Sequence, residues 1–346
     1  MTAPPPRIAV VMVNWRGAAD TIECLESLLR SDVHVHAIVC DNDSSDGSVE
    51  ALLGWARGER IYDAGTGPLA PLTIPPLEKP VPHEHLRNEG GFTRGPQAPL
   101  TIIETGGNLG YAGGNNVGIR FALANPDIDT VWLLNNDTVV EPSTAGAILG
   151  AFDADPGLGM VGAALRYYHR PSHHQMLGGM RFSRWTTRAV GIGAGSAVRA
   201  PIDADRVGRD TDFVCGASLG VSRTFLETVG LMGEEYFLYY EEIDWAIRNA
   251  GRFRIGFAPA AVVYHKEGGS IGSSGAKGQR SALSDYHHAR SKLLFGRKHF
   301  PALLPAYFMQ NLLMAARRVL RRQPEKAQAI LRASFGLPFR PPASGR

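Results

Sequence analysis

Apolar segments of strand length alternate with segments of helical periodicity at the start of the chain, and this order constrains the fold most strongly. Residues 8–15 (IAVVMVNW) and 35–42 (VHAIVCDN) are continuous apolar runs, as expected for buried parallel strands. Residues 19–31 and 48–56 follow them with apolar side chains at helical spacing. This β-α-β-α order predicts an open parallel sheet with right-handed crossovers, flanked by helices.

The regular pattern is interrupted once and then resumes. Residues 57–100 contain many prolines and no periodicity, so we predict an irregular surface insertion or a lid there. Strand-like runs return at 100–105 and 131–137, and the pattern from residue 281 onward is helical. We therefore predict an α/β domain over residues 7–280 and a helical C-terminal extension over residues 281–340.

The C-terminal extension is strongly basic. The whole chain has a net charge of +3, yet residues 286–346 contain twelve Lys or Arg and a single acidic residue. Within 301–322 an apolar segment precedes four arginines, as in a helix that lies on an anionic membrane surface. A helical cap packed on the preceding domain is the alternative. We exclude nucleic acid as a partner, because the arginines lack interleaved aromatic residues and no binding motif is present.

The N-terminus and the cysteines bear on the cellular compartment. Residues 1–6 are a short proline-rich lead without the features of a secretion signal. Cys24, Cys40 and Cys215 have neither paired nor metal-ligand spacing, which favours reduced, buried thiols. These features predict a cytoplasmic protein, and the basic extension would contact the inner face of the cytoplasmic membrane.

Acidic and amide side chains follow the second strand. Asp41 ends this strand and begins the segment DNDSSDGS (41–48). Because parallel sheets bind ligands at the carboxyl ends of their strands, Asp41 can accept hydrogen bonds from a nucleobase N–H or a ribose hydroxyl. We assign Asp43 and Ser45 to the alternative, a turn whose side chains bond the local backbone.

A second polar cluster ends the apolar run LLNND (133–137). Burying polar groups at a strand end is costly unless they have partners. The oxygen ligands of Asp137 suit Mg²⁺ or Mn²⁺ held jointly with phosphate oxygens. Asn135 would add a neutral contact to the metal, and Asn136 would contact the nucleotide sugar. An ordinary Asn/Asp turn is the alternative.

The glycine-rich segment GGNLGYAGGNN (106–116) is not a dinucleotide fingerprint, because it does not connect the first strand and the first helix. A glycine-rich turn that opens a helix can still let backbone amides approach a phosphate or sugar closely. We therefore include Gly110 in a candidate ligand site. Asn108, Asn115 and Asn116 could bind hydroxyl groups there.

Three carboxylates open the predicted helix at 239–251. Glu241 and Asp244 share one helix face, and Glu242 lies about 100° around the axis. Burial and mutual repulsion raise the pKa of such carboxylates, and one of them can then act as a general base toward a hydroxyl. Ordinary acidic residues at a helix N-terminus are the alternative.

His265 ends a late apolar run (AVVYH) and is followed by glycines. Neutral imidazole is a good ligand for Mn²⁺, so His265 and a carboxylate could form a metal site. A structural histidine is equally consistent with the residues alone.

Taken together, these motifs resemble the family-two inverting glycosyltransferases of the GT-A fold, and most closely the bacterial rhamnosyltransferase-like branch. The resemblance extends from about Ile8 to Pro301 and follows the family's order and spacing. It implies a Rossmann-like, mostly parallel central sheet flanked by helices, with a C-terminal helical extension. The insertion at 57–100 has no counterpart in this comparison.

The resemblance also implies roles for the motifs. Residues 10–15, which include Asn14, and residues 41–48 would hold the nucleotide, with Asp41 on the base. LLNND matches the family's metal-binding motif, so Asp137 would bind a divalent cation, and His265 would lie near that metal and the diphosphate. The segment YYEEIDW matches the family's acidic motif, in which the second acid, here Glu242, is the general base.

The implied reaction is transfer of a sugar from a nucleoside diphosphate, a dTDP- or UDP-sugar, to a hydroxyl of a glycan or a polyprenyl-diphosphate-linked acceptor. Rhamnose from dTDP-rhamnose is the first choice, and the single displacement would invert the anomeric centre. Transfer of galactofuranose, glucose or N-acetylglucosamine is an alternative. So is a non-catalytic protein that binds nucleotide sugars. The missing dinucleotide fingerprint argues against a dehydrogenase.

Overall fold

The computed structural model describes residues 7–266 and 280–340. The strands are β1 (Ile8–Asn14), β2 (Val35–Asp41), β3 (His83–Arg87), β4 (Leu100–Glu104), β5 (Thr130–Leu134), β6 (Thr138–Val140), β7 (Leu158–Tyr167), β8 (Arg170–Leu177), β9 (Gly179–Ser183), β10 (Arg188–Gly191), β11 (Phe213–Val214), β12 (Ser218–Ser222) and β13 (Arg254–His265). The helices are α1 (Ala18–Leu28), α2 (Ser48–Arg57), α3 (Gly110–Leu123), α4 (Thr144–Ala154), α5 (Ala204–Asp210), α6 (Arg223–Val229), α7 (Glu241–Arg248), α8 (Ala282–His299), α9 (Leu304–Leu320) and α10 (Pro324–Ser334).

A ten-stranded, mostly parallel sheet forms the centre of the molecule. Its strand order is β3-β4-β2-β1-β5-β12-β7-β13-β6, and β8 pairs with β7 outside this path. The run from β3 to β5 is parallel throughout, and β13 is parallel to β7. Strand β12 lies antiparallel between β5 and β7, and β6 pairs antiparallel with β13. A mostly parallel sheet flanked by helices is therefore confirmed.

Both faces of the central strands are buried, which explains their continuous apolar sequences. In β1, Val10 and Met12 pack into the cluster that contains α1, α2 and the buried Trp55. Their neighbour Val11 faces the other side and packs in the cluster that contains Phe121 of α3. Two helical layers therefore cover the sheet, and polar side chains remain at the strand ends.

The carboxyl ends of several strands meet at one edge of the sheet. Asn14, the last residue of β1, is in register with Asp41, the last residue of β2. At the end of β13, His265 is in register with Thr138 of β6, the residue that follows Asp137. The polar residues singled out after β1, β2, β5 and β13 therefore lie along this edge. The glycines that follow His265 fall outside the described residues.

The region 57–100 differs from the irregular insertion that we predicted. Most of it has no regular structure apart from a short 3-10 turn (Ala70–Leu72), but residues 83–87 form β3, which extends the sheet parallel to β4. The sequence HEHLR has one apolar residue, Leu86, which packs against the core. An edge strand of this kind is held by backbone hydrogen bonds, so apolar periodicity does not reveal it.

The C-terminal extension consists of α8, α9 and α10. Arg318 of α9 forms a 2.8 Å ion pair with the fully buried Asp285 of α8, which joins the two helices. Phe295 and Tyr307 pack on Tyr240 and Ile243, so the extension also contacts α7. In the stretches 7–266 and 280–340, none of the helices combines the length and the apolar composition that crossing a bilayer requires.

Candidate active site

A buried hydrogen-bond network joins the ends of β1, β2 and β5. Asn14 donates from Nδ2 to Asp41 Oδ2 at 2.6 Å, and its Oδ1 accepts from Thr21 Oγ1 at 2.8 Å. Asn136 Nδ2 donates to Thr21 Oγ1 at 2.9 Å. The second oxygen of Asp41 accepts from the Ser44 backbone N–H at 2.9 Å. Asn14, Asp41 and Asn136 therefore form one rigid polar group, held in place by Thr21 of α1.

A cavity of about 460 Å³ opens beside this network. Asp41 and Ser44 lie in its wall, and so do Arg87 and Asn88 from the region 57–100. Arg87 ends β3 and Asn88 follows it, and neither was predicted as a site residue because apolar periodicity does not reveal this strand. A polar cavity next to Asp41 has the size and chemistry to hold a nucleobase and ribose.

Asp137 and His265 are adjacent at the next part of the edge. His265 Nε2 lies 3.2 Å from Asp137 Oδ1 and 3.3 Å from Asn135 Nδ2. On the other side of the ring, His265 Nδ1 lies 3.0 Å from Oε1 of Gln175 in β8. Gln175 was missed by sequence reasoning, since it sits 90 residues before His265 in a segment without a recognisable motif.

The donor set fits a divalent cation. His265 Nδ1 is within hydrogen-bond distance of Gln175, so Nε2 is the ring atom that can bind a metal, and Nε2 with a carboxylate oxygen of Asp137 gives one N and one O ligand that suit Mn²⁺ or Mg²⁺. Within the described ranges, no group of three or more His, Cys, Asp or Glu is clustered to hold a metal. A cation held by Asp137 and His265 would have further coordination positions for phosphate oxygens and water.

The glycine-rich turn connects this edge to α7. Gly110 has a φ of 71°, and a Cβ at this position would collide with the Phe237 carbonyl, so the close approach requires glycine. Asn42 Nδ2 donates to the Gly110 carbonyl at 2.8 Å. Asn108 is exposed and accepts from the Gly110 N–H at 3.1 Å, while Asn115 is buried and donates to the Tyr111 carbonyl at 2.9 Å.

Asn116 has a different position from the other amides of this segment. It is fully buried in α3, and its Nδ2 donates to the Met232 carbonyl and to Glu234 Oε1, both at 2.9 Å. The side chain thus ties α3 to the loop before α7. Binding of a ligand hydroxyl by Asn108 or Asn115 remains a prediction.

Glu241 and Glu242 begin α7, where Tyr239 and Tyr240 turn the chain through left-handed backbone angles of 69° and 76°. Glu241 is 2% exposed, and Glu242 is half-buried. Burial, and then the neighbouring Glu242 charge, raise the pKa of Glu241 well above its ordinary value. Burial also raises the pKa of Glu242, against the opposing effect of a backbone hydrogen bond from Gly216.

Asp244, on the same helix, has the opposite environment. Its buried carboxylate accepts from Arg248 and His299 at 2.7 Å and from Lys298 at 2.8 Å. Burial alone would raise the pKa of Asp244, but the bonds from His299, Lys298 and Arg248 outweigh it and hold the pKa well below the ordinary value. Asp244 therefore anchors α7 to α8.

Glu242 faces a cavity of about 810 Å³ between α7, the β9–β10 hairpin and the C-terminal helices. Its Oε1 lies so close to Gly216 that a Cβ there would collide with it. The next residue, Ala217, accepts a 3.0 Å hydrogen bond from the Asn135 N–H. A short chain of contacts thus connects Glu242 to the Asp137–His265 part of the edge.

Comparisons with known proteins agree with this architecture. No protein-family model matches the chain. The Haloferax volcanii protein named low-salt glycan biosynthesis hexosyltransferase Agl10 is 26% identical over 177 residues, which are 47% of this chain and 50% of the relative. The match therefore spans only half the length of that relative.

Two solved structures share the fold. The mannosyltransferase PcManGT from Pyrobaculum calidifontis, solved with GDP-Man and Mn²⁺, superposes with a TM-score of 0.51 at 15% identity, covering 96% of this chain and 76% of that one. GalNAc-T7, solved with UDP, GalNAc and Mn²⁺, gives a TM-score of 0.54 at 10% identity, covering 85% of this chain and 50% of that one. The chain therefore has a GT-A-like glycosyltransferase fold and is similar in sequence to a hexosyltransferase.

Proposed function

We propose that the chain is a glycosyltransferase that moves a sugar from a nucleoside diphosphate to an acceptor hydroxyl. The observation that carries the proposal is the position of Glu242, a half-buried carboxylate with a raised pKa in the wall of a large cavity. Contacts of Gly216 with Glu242 and of Ala217 with Asn135 connect Glu242 to the Asp137–His265 pair, which supports one shared site. The hexosyltransferase relative supports the same reaction class.

On the donor side, the network of Asn14, Asp41 and Asn136 would hold the nucleotide, with Asp41 contacting the base or ribose. Our first choice of donor is dTDP-rhamnose, by the resemblance of the motifs, and other dTDP- or UDP-sugars are the alternative. Nucleotide-bound neighbours of the same fold support a nucleotide sugar as the class of donor.

Asp137 and His265, with Asn135 beside them, would hold a Mg²⁺ or Mn²⁺ ion. Such an ion neutralises negative charge on the diphosphate as it leaves. The Mn²⁺ in both neighbouring structures supports a divalent cation as cofactor.

In the proposed chemistry, Glu242 removes the proton from the acceptor hydroxyl as its oxygen bonds to the anomeric carbon of the donor. The bond from that carbon to the diphosphate oxygen breaks at the same time, and the configuration inverts. The raised pKa of Glu242 suits this role, since a stronger base accepts the hydroxyl proton more readily. Glu241 is the buried neighbour of Glu242, and each charge disfavours ionisation of the other.

For the acceptor, we propose a glycan or a polyprenyl-diphosphate-linked sugar at the inner membrane surface. Val319 and Leu320 are exposed at the end of α9, and the exposed Arg321 follows them, as in an interfacial helix. Flotation of the protein with anionic vesicles tests the membrane contact. We expect the protein to float with the vesicles, and the same position in the gradient with and without vesicles would contradict the contact.

A thermal-shift screen with dTDP-, UDP- and GDP-sugars tests the proposed function. A ligand of the folded state raises its stability, by about 2.7 kcal/mol at a hundredfold excess over Kd. We expect at least one nucleotide sugar to raise Tm with Mn²⁺, and a smaller shift with a chelator. In Asp137→Asn the Mn²⁺-dependent part should disappear. If no nucleotide sugar shifts Tm, or if the variant behaves like the wild type, the proposal is wrong.

A further inference from the structure

The cavity that Glu242 faces has a basic wall that the proposed transfer reaction does not explain. Arg280 precedes α8, Lys292 lies on α8, Arg317 on α9 and Arg188 on β10, and all four line the cavity. Among the described lining residues, Glu242 is the only carboxylate. The cavity therefore combines one acidic side chain with four cations.

Lys292 is the most unusual of the four. It is 4% exposed, and no described carboxylate forms an ion pair or hydrogen bond with it. Burial and the neighbouring Arg280 charge lower the pKa of Lys292 to about 8. The adjacent His288 has an Nδ1 atom that is buried without a hydrogen-bond partner in the described part of the chain. A buried cation without a counter-ion is costly in free energy.

Other buried charges in the same helices are paired. Arg318 of α9 meets Asp285 of α8 at 2.8 Å, and Asp244 of α7 accepts from Lys298 and His299. Among the described residues, Lys292 and Arg280 differ from these charges because neither forms an ion pair with a carboxylate. A cluster of cations facing a large open space is the arrangement expected of a site for an anionic ligand.

The mouth of the cavity is partly apolar. Gln310, Leu313, Met314 and Arg317 of α9 line it at i, i+3, i+4 and i+7, so they share one helix face. Leu313 is 54% exposed although it is a large apolar residue. A ligand that combines a phosphate with a hydrocarbon chain would contact both the cations and this apolar face.

We propose that Lys292 and Arg280 bind the phosphate or diphosphate group of the sugar acceptor, and thereby present its hydroxyl to Glu242. This inference rests on the proposed function, because it assigns residues that would bind the acceptor of that reaction. Arg188 and Arg317 would contact the same anion from the rim. A prenyl diphosphate and a soluble glycosyl phosphate share this chemistry, and the apolar mouth favours the prenyl compound.

Isothermal titration of farnesyl diphosphate into the full chain tests the inference. Saturating UDP or dTDP with Mg²⁺ is present throughout, so that the donor site is filled. We expect farnesyl diphosphate to bind, and farnesol, which lacks the phosphates, to bind at least about tenfold more weakly. Arg280→Gln/Lys292→Gln should weaken farnesyl diphosphate binding by about 100-fold.

The matched control is Arg209→Gln/Arg297→Gln, which removes two exposed charges outside the cavity and should leave Kd within about twofold of the wild type. Loss of a buried unpaired cation should not lower Tm. If the cavity variant nevertheless fails to fold, Arg188→Gln/Arg317→Gln tests the site through exposed side chains, with an expected loss of about threefold to tenfold.

Glucose 1-phosphate distinguishes the two sources of the phosphate. Binding as tight as that of farnesyl diphosphate would support a soluble phosphorylated acceptor, and weaker binding would support the prenyl compound. Equal affinity of farnesyl diphosphate for the wild type and the cavity variants would overturn the inference. The inference would also be overturned if the protein bound UDP or dTDP but neither farnesyl diphosphate nor glucose 1-phosphate. In that case the proposed function would stand. Failure to bind any nucleoside diphosphate would instead contradict the proposed function itself.

Discussion

The two sides of the candidate site handle buried polarity in opposite ways. On the donor side, Asn14, Thr21, Asp41 and Asn136 form a network in which each side chain has a partner at 2.6 to 2.9 Å. On the acceptor side, by which we mean the 810 Å³ cavity, its lining and the adjacent Glu241, several buried groups lack an ion-pair or hydrogen-bond partner among the described residues. They are Lys292, His288 Nδ1 and Glu241 Oε2.

This difference indicates which side is complete without its ligand. A saturated network stabilises the fold and fixes the geometry of the strand ends, so its loss should reduce stability. Buried groups without partners reduce stability in the free protein and are expected where a ligand or a proton transfer needs them. Substitutions should therefore have opposite signs on the two sides.

The largest effect on stability is expected at Thr21. Thr21→Val keeps the shape but leaves Asn14 Oδ1 and Asn136 Nδ2 without their best partner, which should lower the free energy of unfolding by about 2 to 3 kcal/mol. The control is Thr101→Val in β4, where the buried hydroxyl has no partner in the described structure. That variant should change stability by less than about 0.5 kcal/mol. Urea unfolding measures both, and equal losses would break the comparison.

A smaller effect of opposite sign is expected at Glu241. The pKa of Glu241 is raised in the folded protein, so the side chain stays protonated there at pH values at which it is already ionised in the unfolded chain. The free energy of unfolding therefore falls as pH rises above 4.5, the ordinary pKa of Glu. Glu241→Gln removes this penalty and should stabilise the protein by about 1 kcal/mol more at pH 8 than at pH 5. The control is Glu325→Gln, which changes an exposed side chain outside the site. A larger gain at pH 5 than at pH 8 would contradict the assignment.

The sequence was sufficient for the parts of the site that follow apolar strands. The runs before Asn14, Asp41 and Asp137 predict buried parallel strands, and parallel strands bring their carboxyl ends to one edge. His265 ends β13, which the structure also brings to this edge. The fold and the grouping of these residues could therefore be predicted from local patterns.

Other parts of the site have no local signal. Gln175 and Lys292 contribute through tertiary packing, because β8 and α8 reach the site by routes that apolar periodicity does not report. The same holds for β3, where HEHLR carries almost no apolar alternation. Asp244 and Glu241 share a helix face, yet only the structure shows that Asp244 has Arg248, Lys298 and His299 as partners, while Glu241 has no ion pair among the described residues.

The central claim is that Glu242 is the base that activates the acceptor hydroxyl. The most direct test measures sugar transfer and donor affinity for Glu242→Gln, with the nucleotide sugar found by thermal shift and a prenyl diphosphate sugar as acceptor. The account predicts a fall in kcat of about 1,000-fold with donor Kd almost unchanged, and near-normal turnover in the exposed control Glu227→Gln. Turnover of Glu242→Gln close to that of the wild type would contradict the account.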